Sequence, residues 1–190
     1  MIITICGEEG AGKSTLARQL AQTLHMQFYS MGDIRKKFAT EHGMTLEELN
    51  ALRSKDHTSD TLVDQYQVSL GKKDDNFVLD SRMGFHFIPT SVKIFVVADL
   101  KERARRILQD IEAGNRPFEP YKTVEEVVAY LQKRNKSDIE FYNRLYHINP
   151  YGREHYDLIV DSTHMEADEK LAYVLEWLKR YPAVQARQVG

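Results

Sequence analysis

Ile2-Ile-Thr-Ile-Cys6, followed directly by Gly7-Glu-Glu-Gly-Ala-Gly-Lys-Ser14, is the stretch whose reading decides the fold. Its first five residues form a short apolar run rich in isoleucine, which predicts a buried parallel strand. Leu16, Ala17, Leu20, Ala21 and Leu24 then recur at helical spacing, so a helix follows from Lys13 to about Leu24. The turn between them matches G-x-x-x-x-G-K-[ST], the Walker A pattern. Glycines let successive backbone N–H groups point at one anion, and the helix N-terminus adds the positive end of its dipole. Lys13 is spaced to reach the outer phosphates of a nucleoside triphosphate, and the Ser14 hydroxyl to hold Mg²⁺. Gly7, Glu8, Glu9, Gly10, Ala11, Gly12, Lys13, Ser14 and Thr15 are therefore the predicted ATP-binding residues. Chance would produce the full pattern in roughly 1% of chains this long, and here it stands between a strand and a helix, as the mechanism requires.

The rest of the composition narrows the class. The chain has 190 residues, 42% of them hydrophobic and 28% charged, with 26 basic against 28 acidic residues and a net charge of −2. That balance speaks against a general nucleic-acid coat or a polybasic membrane binder. No apolar run approaches the ~18 residues that span a bilayer, and the N-terminus lacks the basic region of a signal peptide. The single cysteine, Cys6, forbids an internal disulfide and suits a reducing cytoplasm.

Further apolar runs predict strands at Phe28–Tyr29, Phe77–Asp80, Val92–Ala98 and Asp157–Asp161, separated by helical stretches. Strands alternating with helices predict an α/β fold with a parallel sheet covered on both faces. Two helical excursions interrupt the alternation, and Thr45-Leu-Glu-Glu48 and Thr123-Val-Glu-Glu126 carry capping-box signatures within them. The expected organisation is one domain over 1–181, with core segments 1–33, 71–113 and 153–181. An insert for the acceptor lies at about 34–70, a lid at about 114–152, and a tail at 182–190.

A GTPase switch is the rival reading, because Asn135-Lys-Ser-Asp138 fits the guanine-reading string N-K-x-D. In GTPases that string follows a buried strand, whereas here Val124, Val127, Val128 and Leu131 before it fall at helical spacing. Asp80-Ser-Arg-Met83 also lacks the glycine of D-x-x-G.

From the Walker A loop to the closing helix the chain resembles the nucleoside monophosphate kinases, and most closely the cytidylate kinase-like family. Tyr29-Ser-Met-Gly-Asp-Ile34 resembles the family's S-x-G-[DE] turn. Asp80-Ser-Arg-Met-Gly84, with Phe87-Ile-Pro89 and the strand Lys93 to Val97, resembles G-R-D-x-G…F-P…K-I-F. Glu102-Arg-Ala-Arg-Arg106 resembles E-R-A-x-R; Lys133-Arg-Asn-Lys-Ser-Asp138 and Tyr142-Asn-Arg-Leu-Tyr-His-Ile148 resemble the lid. Asp157 to Thr163 resembles the last strand. The resemblance implies a P-loop NTPase three-layer sandwich, with a five-stranded parallel sheet in the order 2-3-1-4-5.

It also implies roles. Arg82 clamps the acceptor's phosphate, where the alternative reading is a surface salt bridge. Asp80 orients Mg²⁺, and Asp33 either shares that work or caps the next helix. Arg103 or Arg106 lies beside the donor nucleotide, Arg134 and Arg144 are arginine fingers of the lid, and Asp138 bonds the acceptor's ribose. Three positions depart from the family pattern. Arg35 and Lys36 stand where relatives carry one arginine, Met83 replaces an aspartate that reads cytosine, and Phe141 replaces a lid arginine. Phe85, His86 and Phe87 are weighed between base stacking and core packing.

The expected function is Mg²⁺-dependent transfer of the γ-phosphoryl of ATP to a nucleoside monophosphate, CMP or dCMP first. The expected enzyme is cytoplasmic and monomeric, without nucleic-acid or membrane partners. The alternatives are a related kinase acting on AMP, UMP or dephospho-coenzyme A, and a nucleotide-binding switch without transfer.

Overall fold

The computed structural model describes residues 1–45, 48–49, 58–73, 76–116 and 119–181. Five strands, β1 (Ile2–Gly7), β2 (Gln27–Ser30), β3 (Phe77–Asp80), β4 (Val92–Val97) and β5 (Leu158–Asp161), form one parallel sheet in the order β2-β3-β1-β4-β5. That is the order expected from the resemblance. Every residue of β1 and β3 is buried, as strands covered on both faces must be. The helices are α1 (Lys13–Thr23), α2 (Met31–Glu41), α3 (Thr58–Lys73), α4 (Gly84–Phe87), α5 (Leu100–Glu112), α6 (Val124–Tyr146) and α7 (Ala167–Arg180). The expected tail at 182–190 lies outside the described residues, as does the stretch 50–57 of the predicted acceptor insert.

The chain divides into two compact units. One comprises residues 1–6 and 17–93, the other residues 7–16 and 94–190. In the first, β3 registers Phe77 against Ile2 on one side and against Gln27 on the other. Ile2, Met31, Val63, Leu70, Phe77, Leu79 and Ile88 form its apolar cluster, with Tyr29, Ile34 and Phe87 packed against it. Phe85 is buried too, so two of the three aromatic residues weighed for base stacking are packing residues. Ser30 caps α2 by accepting from the Asp33 N–H at 3.1 Å; the cap is thus Ser30, and Asp33 sits in the first helical turn.

In the second unit Ile94 registers with Leu158 along β4 and β5. Ala104 and Ile107 of α5 pack on Val127 and Leu131 of α6, the i, i+3/i+4 spacing that puts each pair on one helix face. Asn135-Lys-Ser-Asp138 lies inside α6, which removes it from any base-reading loop. The Thr123 hydroxyl accepts from the Glu126 N–H at 3.2 Å, and the Glu126 carboxylate accepts from the Thr123 N–H in return. The same reciprocal pair joins Thr45 and Glu48. Thr123→Ala removes the first of the two α6 bonds and is expected to destabilise the protein by about 1 kcal/mol, read as a lowered midpoint in urea denaturation at an unchanged slope.

Candidate functional site

The loop from Gly7 to Lys13 is built from both ends. The Glu8 N–H donates to the Val96 carbonyl at 3.1 Å, the Ala11 N–H to the Glu8 carbonyl at 3.2 Å, and the Leu16 N–H to the Gly12 carbonyl at 3.1 Å. Gly10 and Gly12 have φ of +82° and +81°, the left-handed region that a side chain disfavours. Space forbids one as well. A Cβ on Gly10 would lie 2.7 Å from the Arg103 carbonyl, and one on Gly12 would collide with the Lys170 ammonium. Lys13 donates to the Ser14 hydroxyl at 3.2 Å at the start of α1, so the two side chains that the motif assigns to the phosphates and the ion stand together.

A loop that turns amides toward one side must find donors for its carbonyls on the other. The Ala11 carbonyl accepts from the Ser162 hydroxyl at 2.8 Å and from Lys170 at 3.3 Å. The Glu9 carbonyl accepts from Arg103 Nη1 at 3.3 Å. Arg103, only 4% exposed, also donates through Nε to the Ala98 carbonyl and pairs with the Glu8 carboxylate at 3.4 Å. Its place is therefore beneath the loop. Arg106 is tied to the carbonyls of Ser162 and Thr163 at 2.8 and 3.2 Å and to Glu102 at 3.0 Å. These contacts make Arg106 a brace of the turn after β5.

One loop side chain gathers the elements around it. The Glu9 carboxylate pairs with Arg134 Nε at 2.8 Å and with Arg116 Nη1 at 3.2 Å, and accepts from the Tyr130 hydroxyl at 3.4 Å. Arg134 Nη1 donates to the Tyr130 oxygen at 2.7 Å, and Arg116 pairs with Glu119 at 2.8 Å. Burial pushes the Tyr130 phenol up to about 12, and the Glu9 charge adds to the shift. For Arg116 burial works against the charge, yet Glu119 and Glu9 outweigh it and hold the guanidinium above its ordinary value. The structure thus brings Arg134 to the phosphate loop. Arg144, the other expected finger, is exposed, sits over the Phe141 ring at 5.9 Å, and lies ~15 Å further along the helix. Asp138 is buried and accepts from the Tyr151 hydroxyl at 3.0 Å.

The other expected acceptor residues, Asp33, Arg35, Lys36 and Arg82, belong to the first unit, together with Asp80. Asp80 is buried at the carboxyl end of β3, and Arg82 is half-buried in the turn that follows. That turn is fixed by Ser81. Its N–H donates to the Ile5 carbonyl, its hydroxyl donates to buried Gln67, and the same oxygen accepts from the Met83 N–H at 3.2 Å. Asp33 is exposed and pairs with Arg18 at 3.7 Å and Lys36 at 3.8 Å, while Arg35 is half-buried. Met83 is 1% exposed and Phe141 8%, so both departures from the family pattern are packed side chains.

Sequence reasoning passed over Arg116, Tyr130 and Lys170, which belong to no motif, and gave no role to Ser162, which lies within the segment resembling the last strand. Lys170 did leave a signal: it falls four residues before Val174 and eight before Leu178, in the buried stripe of α7. Among the described residues no helix is long and apolar enough to cross a membrane, and no group of three or more His, Cys, Asp or Glu is placed to hold a metal.

Known proteins share this architecture and this sequence. The chain is 32% identical over 162 residues to a cytidylate kinase of Methanothrix thermoacetophila, covering 85% of this chain and 88% of the relative. It is 33% identical over 165 residues to a cytidylate kinase of Methanosarcina acetivorans, covering 85% and 87%. Among solved structures, a shikimate kinase from Bacteroides thetaiotaomicron superposes with a TM-score of 0.66 at 17% identity, covering 94% of this chain and 98% of that one; at that identity the likeness concerns the fold. The model of the Cytidylate kinase-like family matches residues 2–164. With the loop, the strand order and the matched length in agreement, the chain belongs to the cytidylate kinase-like family.

Proposed function

We propose that the protein transfers the γ-phosphoryl group of ATP to a nucleoside monophosphate, with CMP and dCMP as its preferred acceptors. The observation that carries this reading is the phosphate loop, whose carbonyls are tied behind it and whose Glu9 anchors Arg134. The relatives named cytidylate kinase support the choice of acceptor.

In this reading an oxygen of the acceptor phosphate attacks the γ-phosphorus, the bond to the β–γ bridging oxygen breaks, and ADP leaves. The protein's task is positioning and charge compensation. The amides of residues 10–15 and the Lys13 ammonium bind the donor's phosphates. Arg82 holds the acceptor's phosphate, for which a bidentate guanidinium is suited, with Arg35 and Lys36 as further cations and Asp33 and Asp138 as polar contacts. Arg134 faces the transferred charge as the finger from the lid, at about 114–152, and the acceptor insert is at about 34–70. Ser14 and Asp80 are the residues proposed to hold Mg²⁺, which when bound neutralises charge between the β- and γ-phosphates. A serine hydroxyl and a carboxylate are each the kind of hard oxygen donor that ion takes, with waters and phosphates as its usual other ligands.

Four experiments test the reading and the loop anchor on which it rests. In ADP-formation assays at fixed ATP and Mg²⁺, CMP and dCMP are expected to stimulate turnover above AMP, UMP and dephospho-coenzyme A. Stimulation by AMP alone moves the acceptor, and ATP binding with no stimulation by any of them favours the switch. In the same assay Lys13→Ala is expected to lose at least about 100-fold in turnover while keeping its melting temperature. Arg82→Ala is expected to lose on the order of 100-fold in kcat/KM for the acceptor, with ATP affinity by calorimetry nearly unchanged; an equal loss of ATP affinity assigns Arg82 to the donor. Glu9→Gln keeps the size of the loop anchor and removes its charge. Because that charge helps hold the Tyr130 phenol up at about 12, the Tyr130 midpoint is expected to fall, read from phenolate absorbance. A phenol raised in the folded state contributes stability below its ordinary value near 10, and that contribution is lost as pH climbs from there toward 12.

A further inference from the structure

Lys170 is a buried ammonium, 4% exposed, on the first turn of α7. Among the described residues it has one hydrogen-bond acceptor, the neutral Ala11 carbonyl at 3.3 Å, and no carboxylate in ion-pair contact. Its surroundings disfavour the charge: burial lowers its pKa first, the Arg106 guanidinium lowers it further, and the Glu166 carboxylate opposes them only in part. An ammonium that keeps a single neutral acceptor when buried is costly, and side chains of similar volume without a charge would fill the space. Its position gives the charge a use. The head group stands where a Cβ of Gly12 would project, directly beneath the backbone that precedes Lys13. The same Ala11 carbonyl is held from a second side by Ser162, itself tied to Arg106 at 3.3 Å.

We propose that Lys170 is a positioning residue for the donor: its ammonium pins the Ala11 carbonyl to the rear of the phosphate loop and places a second positive charge behind Gly12, opposite the side that receives the phosphate chain. Lys13 meets the phosphates from the front, and Lys170 acts on them through the loop. Glu166 compensates the buried charge only in part, and a bound triphosphate adds to that compensation, so the cost of the charge falls on the free protein and its gain on the complex. This deepens the proposed function and rests on the reading that the loop binds a nucleoside triphosphate.

The test uses the full chain with Lys170→Gln and Lys170→Met. Glutamine keeps a donor for the Ala11 carbonyl and loses the charge; methionine loses both. Binding of inorganic tripolyphosphate by calorimetry isolates the phosphate chain from base and ribose. Both variants are expected to bind it about 10-fold more weakly than the wild type. KM for ATP is expected to rise by a similar factor, with KM for the acceptor and kcat at saturating ATP held near wild-type values. A lysine serving only to support the fold would instead lower the melting temperature and leave tripolyphosphate affinity intact. Wild-type affinity in Lys170→Gln overturns the proposal, because the carbonyl then needs only a donor and not a charge. Should Lys170→Met fail to fold, Lys170→Gln decides alone. If the wild type itself binds neither tripolyphosphate nor ATP, the donor reading of the loop falls and the proposal falls with it. That result is distinct from a wild type that binds and a variant that binds equally well.

Discussion

A backbone that presents its amides to one side must turn its carbonyls to the other, and the rest of the loop's surroundings follow from that. Gly10 and Gly12 supply the left-handed turns, but the turns alone would leave the Ala11 and Glu9 carbonyls facing protein without donors. Buried acceptors left in that state cost more than the hydrogen bonds themselves return. Arg103 from α5, Ser162 from the turn after β5 and Lys170 from α7 provide the donors. Three elements remote in sequence thus converge on two peptide units, and this convergence fixes the shape of the loop.

The donors carry charge as well as hydrogen. Arg103, Lys170 and Lys13 bring positive charge to this loop, and two acids within the loop meet cations from outside it. Glu8 faces Arg103 and Glu9 faces Arg116 and Arg134. The acids divide the work by direction. Glu8 balances the charge beneath the loop, and Glu9 reaches across to α6 and the segment before it. A guanidinium bonded to Glu9 is already ordered and partly desolvated, so less entropy is lost when it meets a second anion. The same carboxylate therefore positions Arg134 and competes with whatever anion Arg134 is to meet.

The sheet was legible in the sequence because its strands are apolar runs closed by Gly7, Asp80 and Asp161, and because the loop fixes which strand leads into which helix. The cap of α6 was equally legible, since a capping box is a local pattern. What escaped was non-local. Glu9 is an unspecified position of the motif, and only the fold brings Arg116, 107 residues away, to its carboxylate. Asp33 illustrates a local ambiguity that geometry settles: both Ser30 and Asp33 are capping types, and the helix begins one residue after Ser30. Lys170 is the instructive case. Read as an amphipathic helix, α7 shows its apolar stripe at Leu171, Val174, Leu175 and Leu178, and a lysine at its edge passes for a solvated flank. Only the register with Val174 and Leu178 marks it as buried.

The two departures from the family pattern have a physical consequence for recognition. An aspartate at position 83 or an arginine at position 141 would need a polar partner to be tolerated at 1% and 8% exposure. A thioether and a phenyl ring need only neighbours, and Phe141 has them in Tyr142 and Arg144. With apolar side chains there, both positions are taken up by packing. In the turn after β3 the groups that remain polar and fixed are Ser81, Arg82 and the backbone that Gln67 holds through Ser81. Under the proposed function such an exchange leaves phosphate recognition untouched, because that reading assigns it to guanidinium groups and backbone amides rather than to the packed residues.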